Sequence, residues 1–349
     1  MLDKSLSHWP VESLEVIRNC PVCRSQHYSV LESGLEDLMS NPPTGLWKLK
    51  RCSDCGTAYL SPRPDSCSIK KAYRHYYTHT SAKDDLVHTS LRLIKNYFGQ
   101  KYYAVKNKST HLSDYIAYLI VRVFFPISLY LDAKSRHIFE VNRAPGKLLD
   151  VGCGNGEFLR FASKFGWNVI GLDFDEGAVS EARSDGFDVR LGSVDVIDKD
   201  EKFDFISISH VIEHVYDPAE LIRSCYSLLN EGGILWLETP NIESFGYAIY
   251  QSNWRGLEPP RHLVLLNQKS LNEILLAAGF SSVDQKLHCL SGLYMALASE
   301  KILNLSSPCE SFICCFRRKI AKVFKVVLLE LVQLIFKRRR EFITLVAVR

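Results

Sequence analysis

The stretch Leu148-Leu-Asp-Val-Gly-Cys-Gly-Asn-Gly156 joins an apolar run to three alternating glycines. A buried strand that runs into such a turn and then opens a helix brings backbone close to a ligand at the C-terminal edge of a sheet. A dinucleotide fingerprint, Gly-x-Gly-x-x-Gly, would need its third glycine at position 157, which holds Glu157. Asp150 precedes the turn, and Asp173 closes the next predicted strand, where a carboxylate can accept hydrogen bonds from both hydroxyls of a ribose. Further along, His210, Glu213 and His214 follow another predicted strand. His262 lies in Trp254-Arg-Gly-Leu-Glu-Pro-Pro-Arg-His-Leu263. Imidazoles titrate near neutral pH and suit removal of a proton from an acceptor group, so His214 or His262 is the candidate base, with Glu213 beside it. Arg261 is a candidate for binding a substrate anion. Tyr73, Tyr76 and Tyr77 are candidates for covering the substrate site, or for packing. For each histidine the alternative is a loop cap or a filled structural pocket.

A second chemistry is written in the cysteines. Of eleven, Cys20, Cys23, Cys52 and Cys55 form two Cys-x-x-Cys pairs. Each pair fits a tight knuckle aiming two thiolates at one ion, and two knuckles make a closed tetrahedral four-cysteine site of the structural zinc kind. The alternative is unmetallated or redox-active cysteines. Cys153, inside the glycine turn, reads as a small filler. The first fifteen residues include Asp3, Lys4, Glu12 and Glu15 and no apolar core, so a cytoplasmic, reducing compartment is expected, where paired cysteines more often bind metal than each other.

These groups need a scaffold, and the pattern supplies one. Apolar strand-like runs at 147–151, 168–172, 189–191, 203–209, 233–238 and 283–287 alternate with helical stretches at 157–165, 176–184, 219–229 and 269–278. That alternation predicts an α/β fold, a doubly wound and mainly parallel sheet covered on both faces; 342–348 reads as its last strand. The expected organisation is a zinc ribbon over 1–66, a helical connecting or lid region over 67–142, the core over 143–294, and a C-terminal helical insertion with the last strand over 295–349. A chain of 349 residues with 46% hydrophobic content can fill such cores. A net charge of +4 without a basic stripe argues against a nucleic-acid partner.

Two segments, 115–131 and 320–336, are greasier than the core requires. Arg122 and Pro126 interrupt the first, which argues against a spanning helix. The second carries Lys322, Lys325, Glu330 and Gln333 at nearly helical spacing, giving one narrow polar stripe, and has basic flanks at 317–319 and 337–340. Burial in the core or in a homodimer interface is favoured over peripheral contact with an anionic membrane at its inner face.

The glycine turn with Asp150, Asp173, the 203–215 block and Leu228-Leu-Asn-Glu-Gly-Gly-Ile-Leu235 together resemble class I S-adenosylmethionine-dependent methyltransferases over about residues 145–290. The resemblance implies a seven-stranded Rossmann-like sheet. It also implies cofactor contacts from Asp150, Gly152, Gly154 and Gly156, from Asp173 to the ribose, from Asp195 to the adenine amine, and from the His210 backbone to the methionine part. With the N-terminal Cys-x-x-Cys ribbon and the Pro-Arg-His stretch, the chain resembles bacterial enzymes that methylate sugars in antibiotic and surface-polysaccharide pathways. A sugar or glycan hydroxyl is then the expected acceptor. The chain lacks the large second C-terminal domain of some sugar C-methyltransferases. The other readings are such a C-methyltransferase, a zinc-ribbon methyltransferase acting on nucleic acid or another small molecule, a nicotinamide-dependent oxidoreductase, and an inactive scaffold.

Overall fold

The computed structural model describes residues 9–37, 45–73, 86–141, 144–288, 290–306, 325 and 327–349, with 86–95 as backbone. The N-terminal part holds β1 (Leu14–Glu15), β2 (Tyr28–Glu36), β3 (Leu46–Cys52), β4 (Ala58–Leu60) and β5 (Arg63–Pro64). Three helices follow, α1 (Leu86–Lys106), α2 (Leu112–Val123) and α3 (Phe125–Lys134). The core alternates β6 (Lys147–Val151), α4 (Glu157–Ser163), β7 (Asn168–Asp173), α5 (Glu176–Ser184), β8 (Asp188–Leu191), β9 (Phe203–Ser209), α6 (Pro218–Leu228) and β10 (Leu229–Pro240). It continues through α7 (Phe245–Tyr250), β11 (Val264–Leu265), α8 (Gln268–Ala278), β12 (Ser282–Lys286), α9 (Ser291–Ser306) and β13 (Phe342–Val348).

Seven strands form one sheet in the order β12-β13-β10-β9-β6-β7-β8. The five from β10 to β8 are parallel, while β13 slots antiparallel between β10 and β12. The central strands are apolar runs because helices cover both faces. Leu148, Leu149, Phe205, Ile206 and Ile208 are all at most 1% exposed. The chain leaves β6 towards β7 and β8, then returns to lay β9 on its other side. The point where the order reverses lies between β6 and β9, which fixes the ligand crevice at their C-terminal ends.

The N-terminal ribbon is not a separate module. Its sheet runs β11-β4-β3-β2, so one strand comes from the core, with Val264 opposite Tyr59 and Leu265 opposite Ala58. Trp9, Trp47, Leu49 and Leu60 share an apolar cluster with Trp254, Leu257, Leu265, Met295 and Leu329. The expected boundaries at 66 and 294 therefore cut through continuous packing, and α9 begins before the second of them.

Both greasy segments bury some apolar residues, such as Val121 and Leu329, and expose others. On α2, Asp114 is buried and paired with Lys101 at 2.7 Å, while Leu112, Ile116, Leu119 and Val123 (77% exposed) face outward, as do Phe124 and Phe125 beyond it. In the helix over 327–335, Gln333 is buried, accepting from Ser291 Oγ at 3.0 Å and the Glu341 N–H at 3.1 Å. Glu330 accepts the Leu293 N–H at 2.6 Å. The predicted polar stripe points inward at both of these residues, and Val327, Leu331, Ile335 and Phe336 lie outside. For the described residues these apolar faces lie outside the chain's own core; 320–324 and 326 fall outside the described residues. No single described helix is long and apolar enough to cross a membrane, though α2 and α3, bent by 109°, pass that test as a pair.

Trp254 ties the two halves together: its ring lies in the shared cluster and its indole N–H reaches Glu341 at 2.9 Å. Trp254→Ala is expected to cost about 3–5 kcal/mol. Urea unfolding should nevertheless remain one transition whether followed at the ribbon or at the sheet; two separated transitions would show an independent ribbon.

Candidate active site at the switch point

The glycine turn does what its spacing requires. Gly152, Gly154 and Gly156 have φ of 74°, 52° and 82°, in the left-handed region. A Cβ on Gly152 would lie 2.3 Å from Val211, because the loop after β9 closes over the turn. The Gly154 N–H donates to Asp173 Oδ2 at 2.8 Å, and the Asp175 N–H to Oδ1 at 2.9 Å, so the carboxylate at the end of β7 is held in place. Phe174, next along, is 69% exposed. Asp195 sits exposed on a short 3-10 turn, Val194–Val196, after β8.

Asp150 is fully buried on β6. Its Oδ1 meets Arg136 Nη1 and accepts from Ser207 Oγ at 2.9 Å, while Oδ2 is buried with no hydrogen-bond partner. Burial pushes its pKa up, against the Arg136 charge. Arg136 is not among the sequence candidates. It stands in left-handed backbone with His137 (φ 50° and 55°), its guanidinium 3.9 Å from the Phe158 ring centre. His137 anchors that strained pair by accepting the Trp236 indole N–H on Nδ1 at 3.1 Å.

Beyond β9 the charges crowd. His210 is also left-handed (φ 54°), its N–H bonded to the Glu238 carbonyl at 2.9 Å. Its ring nitrogens lie 3.4 Å from Glu213 Oε1 and 3.4 Å from Glu238 Oε1. Burial works against the imidazolium, but the two carboxylates win and raise its pKa to about 10. Glu213 is completely buried. Burial would raise its pKa, yet His210, His214 and His262 around it bring it down to about 2. Its Oε2 accepts from Thr239 Oγ1 at 2.9 Å, and Oε1 has no hydrogen bond. Glu238 Oε2 accepts from Thr344 Oγ1 at 2.7 Å and His288 Nδ1 at 2.8 Å. Glu238 and His288 escape the sequence reading, since only the insertion of β13 beside β10 brings them to this edge.

His214 and His262 meet edge to face, their ring centres 4.8 Å apart. Each fixes Nδ1 on a backbone carbonyl, His214 on Arg261 at 3.0 Å and His262 on Gly256 at 2.7 Å. The Tyr73 hydroxyl lies 3.1 Å from His214 Nδ1. Tyr76 and Tyr77 fall outside the described residues. Desolvation lowers the His262 pKa to about 4, keeping the ring neutral.

Arg261 is placed differently from the expectation. It is 0% exposed, with its guanidinium bonded to Asp37 at 2.6 and 3.0 Å, to Glu258 at 2.9 Å and to the Ala72 carbonyl at 3.1 Å. It is a buried ionic link between ribbon and core, not a surface group awaiting an anion.

The four paired cysteines converge. Cys20 and Cys55 sulfurs are 3.6 Å apart, Cys23 and Cys52 3.4 Å, and all four lie within 4.8 Å. A tetrahedral ion with bonds of about 2.3 Å would space sulfurs at roughly 3.8 Å, so the set fits one. Knuckle bonds Arg24 N–H to Cys20 O (3.0 Å) and Gly56 N–H to Cys52 O (3.0 Å) close each turn.

Residues 127–285 match a protein family described as a methyltransferase domain. A probable S-adenosylmethionine-dependent methyltransferase of Mycolicibacterium smegmatis is 32% identical over 150 residues, 41% of this chain and 55% of that protein. A ubiquinone biosynthesis O-methyltransferase of Coxiella burnetii is 31% identical over 134 residues, 36% of this chain and 57% of that one. The chain thus spans about half the length of the curated relatives it matches. A crystal structure of a SAM-dependent methyltransferase from Archaeoglobus fulgidus aligns with a TM-score of 0.41 and 22% identity, over 63% of this chain and 93% of that one.

His137 gives this edge a testable pH response. Its folded pKa is about 4, from burial, against an ordinary 6.5. The unfolded chain binds the proton more tightly, so this contribution is complete above pH 6.5 and is lost as pH falls through 4, up to about 3 kcal/mol. Urea midpoints for His137→Phe should fall less steeply than wild type between those values; parallel curves would count against the assignment. The strand order, the glycine turn and the acid-terminated second strand agree with the match of residues 127–285 to a family described as a methyltransferase domain.

Proposed function

We propose that this chain transfers a methyl group from S-adenosylmethionine to a hydroxyl of a sugar or glycan. One observation carries the cofactor part: Asp150 Oδ2 is buried, unpartnered and beside Arg136, an acceptor and a cation ready for the ammonium and carboxylate of an amino acid. Asp173, braced by two backbone N–H groups, accepts the ribose hydroxyls on its remaining lone pairs, with Phe174 and Asp195 at the adenine end. The His210 backbone borders the methionine part. The bound cofactor supplies an activated methyl on a sulfonium, so alignment of the acceptor is the protein's main task. Glu213, His214 and His262 then activate the acceptor hydroxyl, at the end of β9 that faces the crevice. Glu238 and Glu213 keep the His210 ring cationic, so that ring does not take the proton.

A hydroxyl acceptor is supported by the O-methyltransferases among the relatives and by the imidazoles at the site. The four-cysteine cluster is read as structural zinc: its thiolates fill every position of a tetrahedral ion. Calorimetry with S-adenosylmethionine should show binding that Asp173→Ala weakens by at least about tenfold, two lost charge-assisted hydrogen bonds being worth more than about 1.4 kcal/mol. Binding of NADH instead would overturn the reading. Elemental analysis should find one zinc per chain, lost in Cys52→Ser.

Peripheral contact with an anionic membrane surface is the reading favoured for these two helices. Their apolar faces point outward, and Arg122 and Lys337, Arg338 and Arg339 stand exposed beside them. Flotation with vesicles containing phosphatidylglycerol should carry the protein upward, and Leu119→Glu with Ile335→Glu should abolish this. Wild-type protein left at the bottom would sink the idea.

A further inference from the structure

We infer that Glu213, His214 and His262 bind a divalent first-row cation, a second metal site distinct from the four cysteines. One ligand atom from each lies within 4.8 Å of the other two. Two imidazoles and one carboxylate form the ligand set that suits manganese, iron, cobalt or zinc and leaves coordination positions open.

Glu213 Oε1 is buried and makes no hydrogen bond, although it lies 3.4 Å from His210 Nδ1 as an ion pair. Each histidine commits Nδ1 to a backbone carbonyl, at 3.0 and 2.7 Å, which fixes its tautomer and leaves Nε2 as the coordinating atom. Such a carbonyl behind the ring is the usual support of a metal-ligating histidine. The second oxygen of Glu213 is likewise occupied, by Thr239 at 2.9 Å, so Oε1 alone turns to the cation. Bonds of about 2.0–2.1 Å would draw the three atoms to roughly 3.0–3.4 Å from one another, a closure of up to about 1.8 Å from the 4.8 Å within which they lie. The neighbouring Glu258 meets Arg255 and Arg261, and its Oε2 also lies 3.7 Å from His262 Nε2.

The cation deepens the proposed function and, as to its role, rests on it. His214 is only half-buried, which leaves the site reachable from outside the core. There the ion takes the acceptor hydroxyl and lowers its pKa, and the proton leaves to solvent. The alkoxide oxygen then attacks the methyl carbon: the O–C bond forms as the C–S bond breaks, and its electron pair stays on sulfur as a neutral thioether.

The test uses the full-length protein with its cysteine site loaded with zinc. Manganese(II) is titrated in while the electron paramagnetic resonance signal of the free ion is followed. The expected result is one bound manganese per chain, with affinity weakened at least about tenfold in both Glu213→Gln and His214→Ala. Zinc content and near-ultraviolet circular dichroism show that the variants are folded; where one is not, the other carries the comparison. No uptake by wild-type protein, or equal uptake by folded variants, overturns the site. S-adenosylmethionine binding, measured calorimetrically on the same samples, separates the two claims: cofactor binding without manganese uptake removes only the cation, and uptake without cofactor binding removes only the methyl-transfer role.

Discussion

Arg261 is a full positive charge with no exposed surface, and the region around it is arranged to neutralise that charge. Asp37 comes from the end of the ribbon, Glu258 from the loop after α7, and a carbonyl from Ala72. A buried pair of this kind contributes little net stability over an apolar substitute, yet removing one partner is severe because a charge is left alone. Its effect is positional. Arg261 is flanked by His262, and its own carbonyl holds His214, so the ion network that fastens the ribbon also sets two imidazoles at the crevice.

The same logic governs the edge of the sheet. Three carboxylates, Glu213, Glu238 and Glu258, lie buried within reach of His210, His214, His262 and His288, with Arg255 and Arg261 behind. Charges at such density are tolerated only when each meets an opposite one. The cluster therefore behaves as a unit, with Glu213 Oε1 met by the His210 ring at 3.4 Å, whereas Asp150 Oδ2 is buried without a hydrogen bond.

Much of this is legible in the chain. The strands at 147–151, 203–209 and 342–348 have the bounds their apolar runs predict, because buried parallel strands are short apolar runs and the glycine turn punctuates the first. The glycines and Asp173 need only local spacing. What stays hidden depends on long-range contacts. Arg136 is brought to Asp150 by an unusual left-handed pair, and Glu238 meets His288 only because β13 inserts beside β10. Arg261 reads as an anion binder because nothing local reveals Asp37. The amphipathic pattern at Gln333 is real as a pattern, but periodicity cannot say which face turns inward.

The pairing of β11 with β4 also sets an order of events during folding. The ribbon's own hairpins and its cysteine knuckles are local and can form as soon as they are made. Yet the edge of β4 must wait for Val264 and Leu265, about two hundred residues later in synthesis. Until then an apolar strand edge, Ala58–Leu60, stands open beside the knuckles, the kind of edge that recruits other chains. A metal on the four cysteines, as proposed above, would hold that edge in register while the rest of the molecule is still being made.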